Sequence, residues 1–291
     1  MNFSDKSLVV SGCSFTSGGG LDNPNYWDFL FPNINKEDYL LNDYPIQPFY
    51  DEIVDKNNYV YFLSEVAGFK EYYNLSEGAA GVYSTIQRLY RFIKDNPKKD
   101  MFVIYQPPAY NRVEMVVNGK FKSLWTLKDS DKMKFHLFYK NFYDDIFYFY
   151  KSILEIDNLT QLCKSKNIDY LILDWDGFYD LTGEFFIEKI AEYKNGKNKI
   201  YSDHIGWFSN KYEMWEYDFK TIVSEWKYLN LKEFWIEDAP FGKDNSIKYK
   251  ISKDKKILDG HLSPFGAKKL SEFIFRKINP KKKSNIIWII Q

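Results

Sequence analysis

Three residues drawn from the two ends of the chain have the types needed to activate a hydroxyl. Ser14 lies in Val9-Val10-Ser11-Gly12-Cys13-Ser14-Phe15-Thr16, and His261 lies in Asp259-Gly260-His261-Leu262-Ser263-Pro264. A serine hydroxyl is a poor nucleophile at neutral pH, so it needs an imidazole to take its proton and usually a carboxylate to orient that imidazole. His261 and Asp259 supply both groups. A second reading of the same segment makes Asp259-Gly260 a turn and Ser263 the cap of the following helix, with His261 simply exposed. Only two other histidines exist. His136 falls on an aromatic helical stripe that packing explains, and His204, in Ser202-Asp203-His204-Ile205-Gly206, is a secondary candidate.

The elements that must position these residues follow from periodicity and from glycine and proline punctuation. Ser7-Leu8-Val9-Val10 reads as a short buried strand, and Ser11-Gly12 lets the backbone turn at its end, which puts Ser14 on a strand-exit loop. Tyr59 to Ala67 reads as a helix. Tyr72-Tyr73-Asn74-Leu75 is a second strand, followed by Ser76-Glu77-Gly78-Ala79-Ala80-Gly81 and a helix marked by Val82, Ile86, Leu89, Tyr90 and Ile93. Met101 to Tyr105 is a third strand, stopped by Pro107-Pro108. Val113 to Phe121, with Asn118-Gly119 at its centre, predicts a hairpin.

A long helix comes next, with Phe135, Phe138, Tyr139, Phe142, Ile146, Phe149 and Ile153 on one face. Lys140, Asp144 and Lys151 make it unfit to span a membrane. Ile168 to Leu173 is the fourth strand, ending at Asp174-Trp175-Asp176-Gly177. The polar and aromatic stretch beyond it, with Trp207, Trp215, Trp226 and Trp235, reads as a cap or an interaction surface. Pro264 opens a final helix that runs to about Lys277. Alternating strands and helices predict an α/β fold, a parallel sheet whose ligands bind at the C-terminal ends of the strands. The expectation is one domain over 1–291, with insertions at about 18–58, 113–131 and 175–256.

Composition narrows the function classes. Forty basic residues balance forty acidic ones, so no net field calls for nucleic acid or an anionic membrane as partner. The Lys281-Lys282-Lys283 run reads as a solvated tail. Cys13 and Cys163 are the two cysteines, without metal-ligand or redox spacing, so no metal, cofactor or disulfide framework is expected. No secretory signal or membrane-length apolar window is visible, which makes a cytoplasmic location the expectation, with a phage or virion origin compatible. Aromatic residues make up 20%, enough to predict aromatic-lined surfaces of the kind that meet carbohydrates or proteins.

Taken together, Gly12-Cys13-Ser14-Phe15-Thr16 after the first strand and Asp259-Gly260-His261-Leu262-Ser263-Pro264-Phe265-Gly266 before the last helix resemble the first and last blocks of the SGNH/GDSL hydrolase superfamily. The likeness is greatest to SGNH-like proteins whose first block reads Gly-Cys-Ser-Phe-Thr, phage-encoded ones included. The resemblance implies a flavodoxin-like three-layer domain with helices on both faces of the sheet. It makes Ser14 the nucleophile, with its own N–H in the oxyanion hole, His261 its base, and Gly78 the second oxyanion N–H. Glycine admits close backbone approach and an oxyanion needs preorganised donors. A strand-to-helix turn that requires glycine accounts for Gly78 equally well.

Three departures stand out. Position 81 is Gly where the family usually carries Asn. The third strand runs into Gln106-Pro107-Pro108-Ala109-Tyr110-Asn111-Arg112 without Gly-X-Asn-Asp, which leaves the amide of Gln106 or of Asn111 as a replacement donor. Asp259 stands two residues before His261 rather than three, a spacing that resembles SGNH-like sugar O-acetyltransferases. Arg112 resembles an arginine of the phage-type proteins; it is expected to pair with Glu114, the other reading being that it holds a substrate carboxylate.

The function expected is a serine-dependent esterase or O-acyltransferase acting on a small ester, such as an acetylated carbohydrate. The rival is a weakly active or inactive scaffold that binds a glycan or a protein. A phosphate loop at Gly18-Gly19-Gly20 fails because no Gly-Lys-Ser/Thr follows.

Overall fold

A strand buried on both faces reads as an unbroken apolar run, and the computed structural model has three of them. It describes residues 2–19, 21, 30–31, 33–41, 44–117, 120–123, 143–195, 219–232, 234, 246–252 and 255–280; within these, the side chains at 36, 44, 115–117, 120–123, 246–252 and 255–260 are not described. Strands are numbered in chain order: β1 (Ser7–Ser11), β2 (Leu40–Leu41), β3 (Tyr44–Pro45), β4 (Glu71–Asn74), β5 (Met101–Tyr105), β6 (Glu114–Val117), β7 (Lys120–Ser123), β8 (Asp169–Asp174), β9 (Tyr228–Asn230), β10 (Ser246–Ser252) and β11 (Lys255–Leu262). Every residue of β1 and β5 is buried, as are all of β8 but its first, whereas β4 is only half-buried. That contrast places the first three inside a parallel sheet and β4 at an edge.

The observed order is β4-β1-β5-β8-β9. Counting these five strands alone along the chain, the order is 2-1-3-4-5, the flavodoxin-like arrangement, with its switch point between the first and third strands. The chain thus has a parallel five-stranded α/β fold. Ser14 follows β1, one of the two strands that flank the switch point.

Helices are α1 (Ser14–Ser17), α2 (Tyr59–Ala67), α3 (Val82–Asp95), α4 (Asp145–Ser165), α5 (Glu184–Lys194), α6 (Phe219–Ser224) and α7 (Pro264–Ile278). The chain divides into two compact units. One comprises Met1–Leu8, Ser14–Asn74 and Glu233–Gln291, and the other comprises Val9–Cys13 and Leu75–Lys232.

In the first unit α2 packs against α7. Asn58 starts α2 by accepting from the amides of Val60 and Tyr61, both at 3.0 Å, and Gly68 ends it at φ +72°. Leu63 on α2 and Leu270 on α7 are fully buried, each worth about 1.5–3 kcal/mol relative to exposure. A second cluster of Leu21, Phe49 and Val54 packs with Phe31, Tyr39 and Ile53, so part of the stretch expected as an insertion at about 18–58 has a core of its own.

In the second unit α4 packs against α3, α5, α6 and β8. Ile146, Phe149 and Ile153 are buried, as the predicted stripe requires, and Ile156, Leu159 and Cys163 continue it. The helix begins later than its apolar pattern suggests. Asp144 is its cap, accepting from the Phe147 amide at 2.7 Å, rather than an interior residue. The earlier half of the expected helix, 135–142, lies outside the described residues, as do His136, His204, Trp207, Trp215, Trp235 and the 281–283 lysines. The 114–123 hairpin forms as predicted, with Val117 opposite Lys120.

The 175–256 stretch differs from its reading as a single insertion. It contributes β9, which pairs in parallel with β8 from Ile172–Tyr228 to Asp174–Asn230 and closes one edge of the sheet. Three residues are too few to show strand alternation within an aromatic-rich run.

Candidate active site

Ser14 is reached through Ser11-Gly12-Cys13, all buried, and it is the first residue of α1, a four-residue turn of helix rather than a loop. Gly18 then takes φ +81°, and the chain folds back on itself, with the Gly19 amide donating to the Ser14 carbonyl at 2.6 Å and the Ser17 hydroxyl donating to it at 3.2 Å. The end of β4 pins this turn, because the Asn74 side-chain amide donates to the Thr16 carbonyl at 3.0 Å. The serine therefore stands on a backbone fixed from two sides.

His261 arrives from the opposite end of the chain. It is the penultimate residue of β11, just before Ser263, whose hydroxyl caps α7 by accepting from the Gly266 amide at 3.1 Å. In the β10–β11 hairpin, Lys248 faces Leu258 and Ser246 faces Leu262, so four steps on β11 run against two on β10. Asp259, Gly260 and His261 occupy that irregularity. Bulges of this kind re-aim side chains, and they recur beside active sites. Of the second reading of this segment, the turn at Asp259-Gly260 is instead strand, while the capping role of Ser263 is present.

His261 Nε2 lies 2.9 Å from Ser14 Oγ. For the hydroxyl to donate, Nε2 must be bare and the imidazole proton must sit on Nδ1. The Phe15 ring packs against the imidazole at 4.8 Å between centroids, tilted by 35°. Gly19 closes the far side, since a β-carbon there would stand 2.8 Å from Ser14 Cβ and 2.9 Å from His261 Nε2. Phe15 belongs to the first block and Gly19 to the glycine run, but neither is among the site residues that the sequence points to. The glycine run after Ser14 carried the signal, but for close packing against a side-chain pair and not for phosphate. The side chain of Asp259 is not among those described.

The other sequence candidates lie in the second unit. Gly78 is exposed, and a β-carbon there would meet nothing within 4 Å, so space does not require a glycine. Gln106 is fully buried, with its backbone N–H donating to the Ser11 carbonyl at 2.9 Å, whereas Asn111 is exposed. Position 81 has no room for the expected asparagine: a β-carbon on Gly81 would stand 2.5 Å from the Arg112 carbonyl oxygen and 2.6 Å from Glu114 Cδ.

The expected Arg112–Glu114 pair does not form. Glu114 is spent on the start of α3, accepting from the Gly81 amide at 2.8 Å, from the Ser84 amide at 2.9 Å and from the Ser84 hydroxyl. Four N–H groups at a helix start lack partners within the helix and carry its positive dipole end, and the carboxylate answers both. Arg112 is left with a buried Nη1 that has no hydrogen-bond partner.

Among the described residues no group of three or more His, Cys, Asp or Glu is arranged to hold a metal ion, and no helix is long and apolar enough to cross a membrane.

No protein-family profile matches the chain, and no curated protein matches it. Solved structures similar to it include GDSL-family proteins and carbohydrate esterases. One is a catalytic mutant of an acetylxylan esterase from Geobacillus stearothermophilus (14% identity, 99% of this chain and 98% of that one, TM-score 0.41). Another is a GDSL-like lipase from Bacteroides thetaiotaomicron (12% identity, 96% and 90%, TM-score 0.37). A third is an acetyl xylan esterase (13% identity, 94% and 99%, TM-score 0.40).

Proposed function

We propose that the protein is a serine-dependent esterase or O-acyltransferase working through an acyl-enzyme, with Ser14 as nucleophile and His261 as general base. The observation that carries this reading is the 2.9 Å contact between His261 Nε2 and Ser14 Oγ. Both belong to the first unit, and 247 positions separate them along the chain. Nucleophile and base within hydrogen-bond reach is the geometric requirement of this chemistry. A hydroxyl out of reach of the imidazole would have favoured the non-catalytic scaffold.

Ser14 Oγ attacks the acyl carbon of the ester while its proton passes to His261 Nε2. The tetrahedral intermediate bears the negative charge on the former carbonyl oxygen, which the Ser14 amide stabilises. Its collapse expels the alcohol, which takes the proton back from Nε2. Water, or an acceptor hydroxyl, then gives its proton to the same nitrogen as it attacks the acyl-serine, releasing acid or a new ester and restoring Ser14. Asp259 is assigned the orienting role at Nδ1. The substrate class is a small ester, and the aromatic content favours an acylated carbohydrate.

The test is Ser14→Ala, assayed by turnover of an aryl acetate and by labelling with a fluorophosphonate. Both should be lost. Labelling that persists unchanged in the variant would overturn the mechanism.

A further inference from the structure

The second unit holds a cavity of about 390 Å³, walled by α3, by the turn that carries Tyr110 to Glu114, and by the first half of α4. That volume suits one small ring compound. Arg112 lines it, mounted on a backbone that cannot shift easily. Its amide donates to the Ala109 carbonyl at 3.0 Å, and its own carbonyl lies against Gly81, where no β-carbon fits. Its Nη1 is enclosed without a hydrogen-bond partner, and Arg112 makes no ion pair among the described residues.

The carboxylates facing this arginine do not answer it. Glu114 is committed to the start of α3. Asp176 interacts with Arg112 electrostatically but forms no ion pair with it, and it is exposed. Glu155 stands across the cavity, where burial pushes its carboxyl up toward the neutral form, with Lys151 opposing the shift. Lys151, one turn earlier on α4, has its ammonium 5.9 Å from the centre of the Tyr83 ring and no ion pair among the described residues. Tyr110 supplies a rigid aromatic wall. Its hydroxyl donates to the two oxygens of Asp145 at 2.9 and 3.0 Å, and its ring packs edge-on against Phe149 at 5.5 Å.

We propose that this cavity is a binding site for a carboxylate-bearing ring compound of monosaccharide size, an acidic sugar, with the Arg112 guanidinium as the partner of its carboxylate and Lys151 as the second cation. The planar fork of arginine matches a carboxylate through two parallel hydrogen bonds, and the tyrosine rings suit the apolar face of a sugar ring. This site goes beyond the acyl-transfer reading and does not rest on it, since nothing in it involves Ser14 or His261.

The test is calorimetric titration of the intact protein with sodium glucuronate, glucose and sodium acetate in turn. Glucuronate should bind at least about ten-fold more tightly than either of the others, the difference a charged hydrogen-bonded pair supplies. Arg112→Gln should remove that preference, Arg112→Lys should restore only part of it, and Lys151→Gln should weaken glucuronate several-fold. Glucose binding as well as glucuronate, acetate binding as well as glucuronate, or no saturation by glucuronate at millimolar concentration would each overturn the proposal. Should Arg112→Gln fail to fold by circular dichroism, the three-ligand comparison on the unaltered protein and Lys151→Gln decide the matter. Unchanged glucuronate affinity in Lys151→Gln removes the second cation from the site.

Discussion

A β-carbon on Gly19 would stand 2.9 Å from Nε2 of His261, so the backbone that follows the candidate nucleophile occupies the space beside the base. The φ of Gly18 is positive and that of Gly19 is not, which separates the two glycines: the first permits the turn, and the second makes room. Gly19→Ala should therefore fold and yet fail. A methyl group there must displace Ser14 or His261, and misplacement on the scale of an ångström costs about 100-fold in rate. Aryl-acetate kinetics alongside circular dichroism check this; activity within two-fold of the parent would show that the turn yields without moving the pair.

His261→Ala removes the only base seen near Ser14 Oγ among the described residues. Turnover should fall by at least about a thousand-fold, as when either member of such a pair is removed. Fluorophosphonate labelling of Ser14 should slow in parallel. Rapid labelling in this variant would assign proton transfer to some other group.

Glu114 and Gly81 form a single device at the start of α3, with the carboxylate as cap and the absent β-carbon as clearance. Glu114→Ala should destabilise the protein by about 1–2 kcal/mol, the range for a lost cap. Gly81→Ala should cost about 1–3 kcal/mol through overpacking against the Arg112 carbonyl. Urea unfolding midpoints measure both. Because the residues touch, the double variant should cost less than the sum of the two.

Asp145, in the first turn of α4, gives a pH signature. Burial pushes its carboxyl up, but hydrogen bonds from Lys189, Tyr143 and Tyr110 outweigh burial and hold it below the usual range. A carboxyl depressed in the folded state contributes stability that is present above its unfolded pKa of about 3.9 and is lost as pH falls through the folded value. Asp145→Asn should thus lower stability at pH 7 by about 1 kcal/mol, a modest figure because the carboxylate is partly exposed. The gap between variant and parent should close below about pH 4. A gap that stays constant from pH 7 to pH 3 would mean that the charge of Asp145 is not what the interaction uses.

The sequence by itself determined the parts whose information is local. Apolar runs identified β1, β5 and β8, a 3.6-residue spacing identified α3, Pro264 marked the start of α7, and the residue types around Ser14 and His261 named the pair. Only the tertiary structure decided what depends on atoms distant along the chain. It brought Ser14 and His261 to 2.9 Å. It set Asp259 to His261 in an irregular stretch of β11, and it added Tyr228–Asn230 to the sheet. It also turned Glu114 from the expected partner of Arg112 into the cap of α3, leaving Arg112 in the wall of a cavity without that partner. Spacing along a chain reports which side chains share a face of one element, because helix and strand periods are properties of a few consecutive residues. Which element lies opposite that face, and how close a backbone must approach it, is fixed only when the chain is packed.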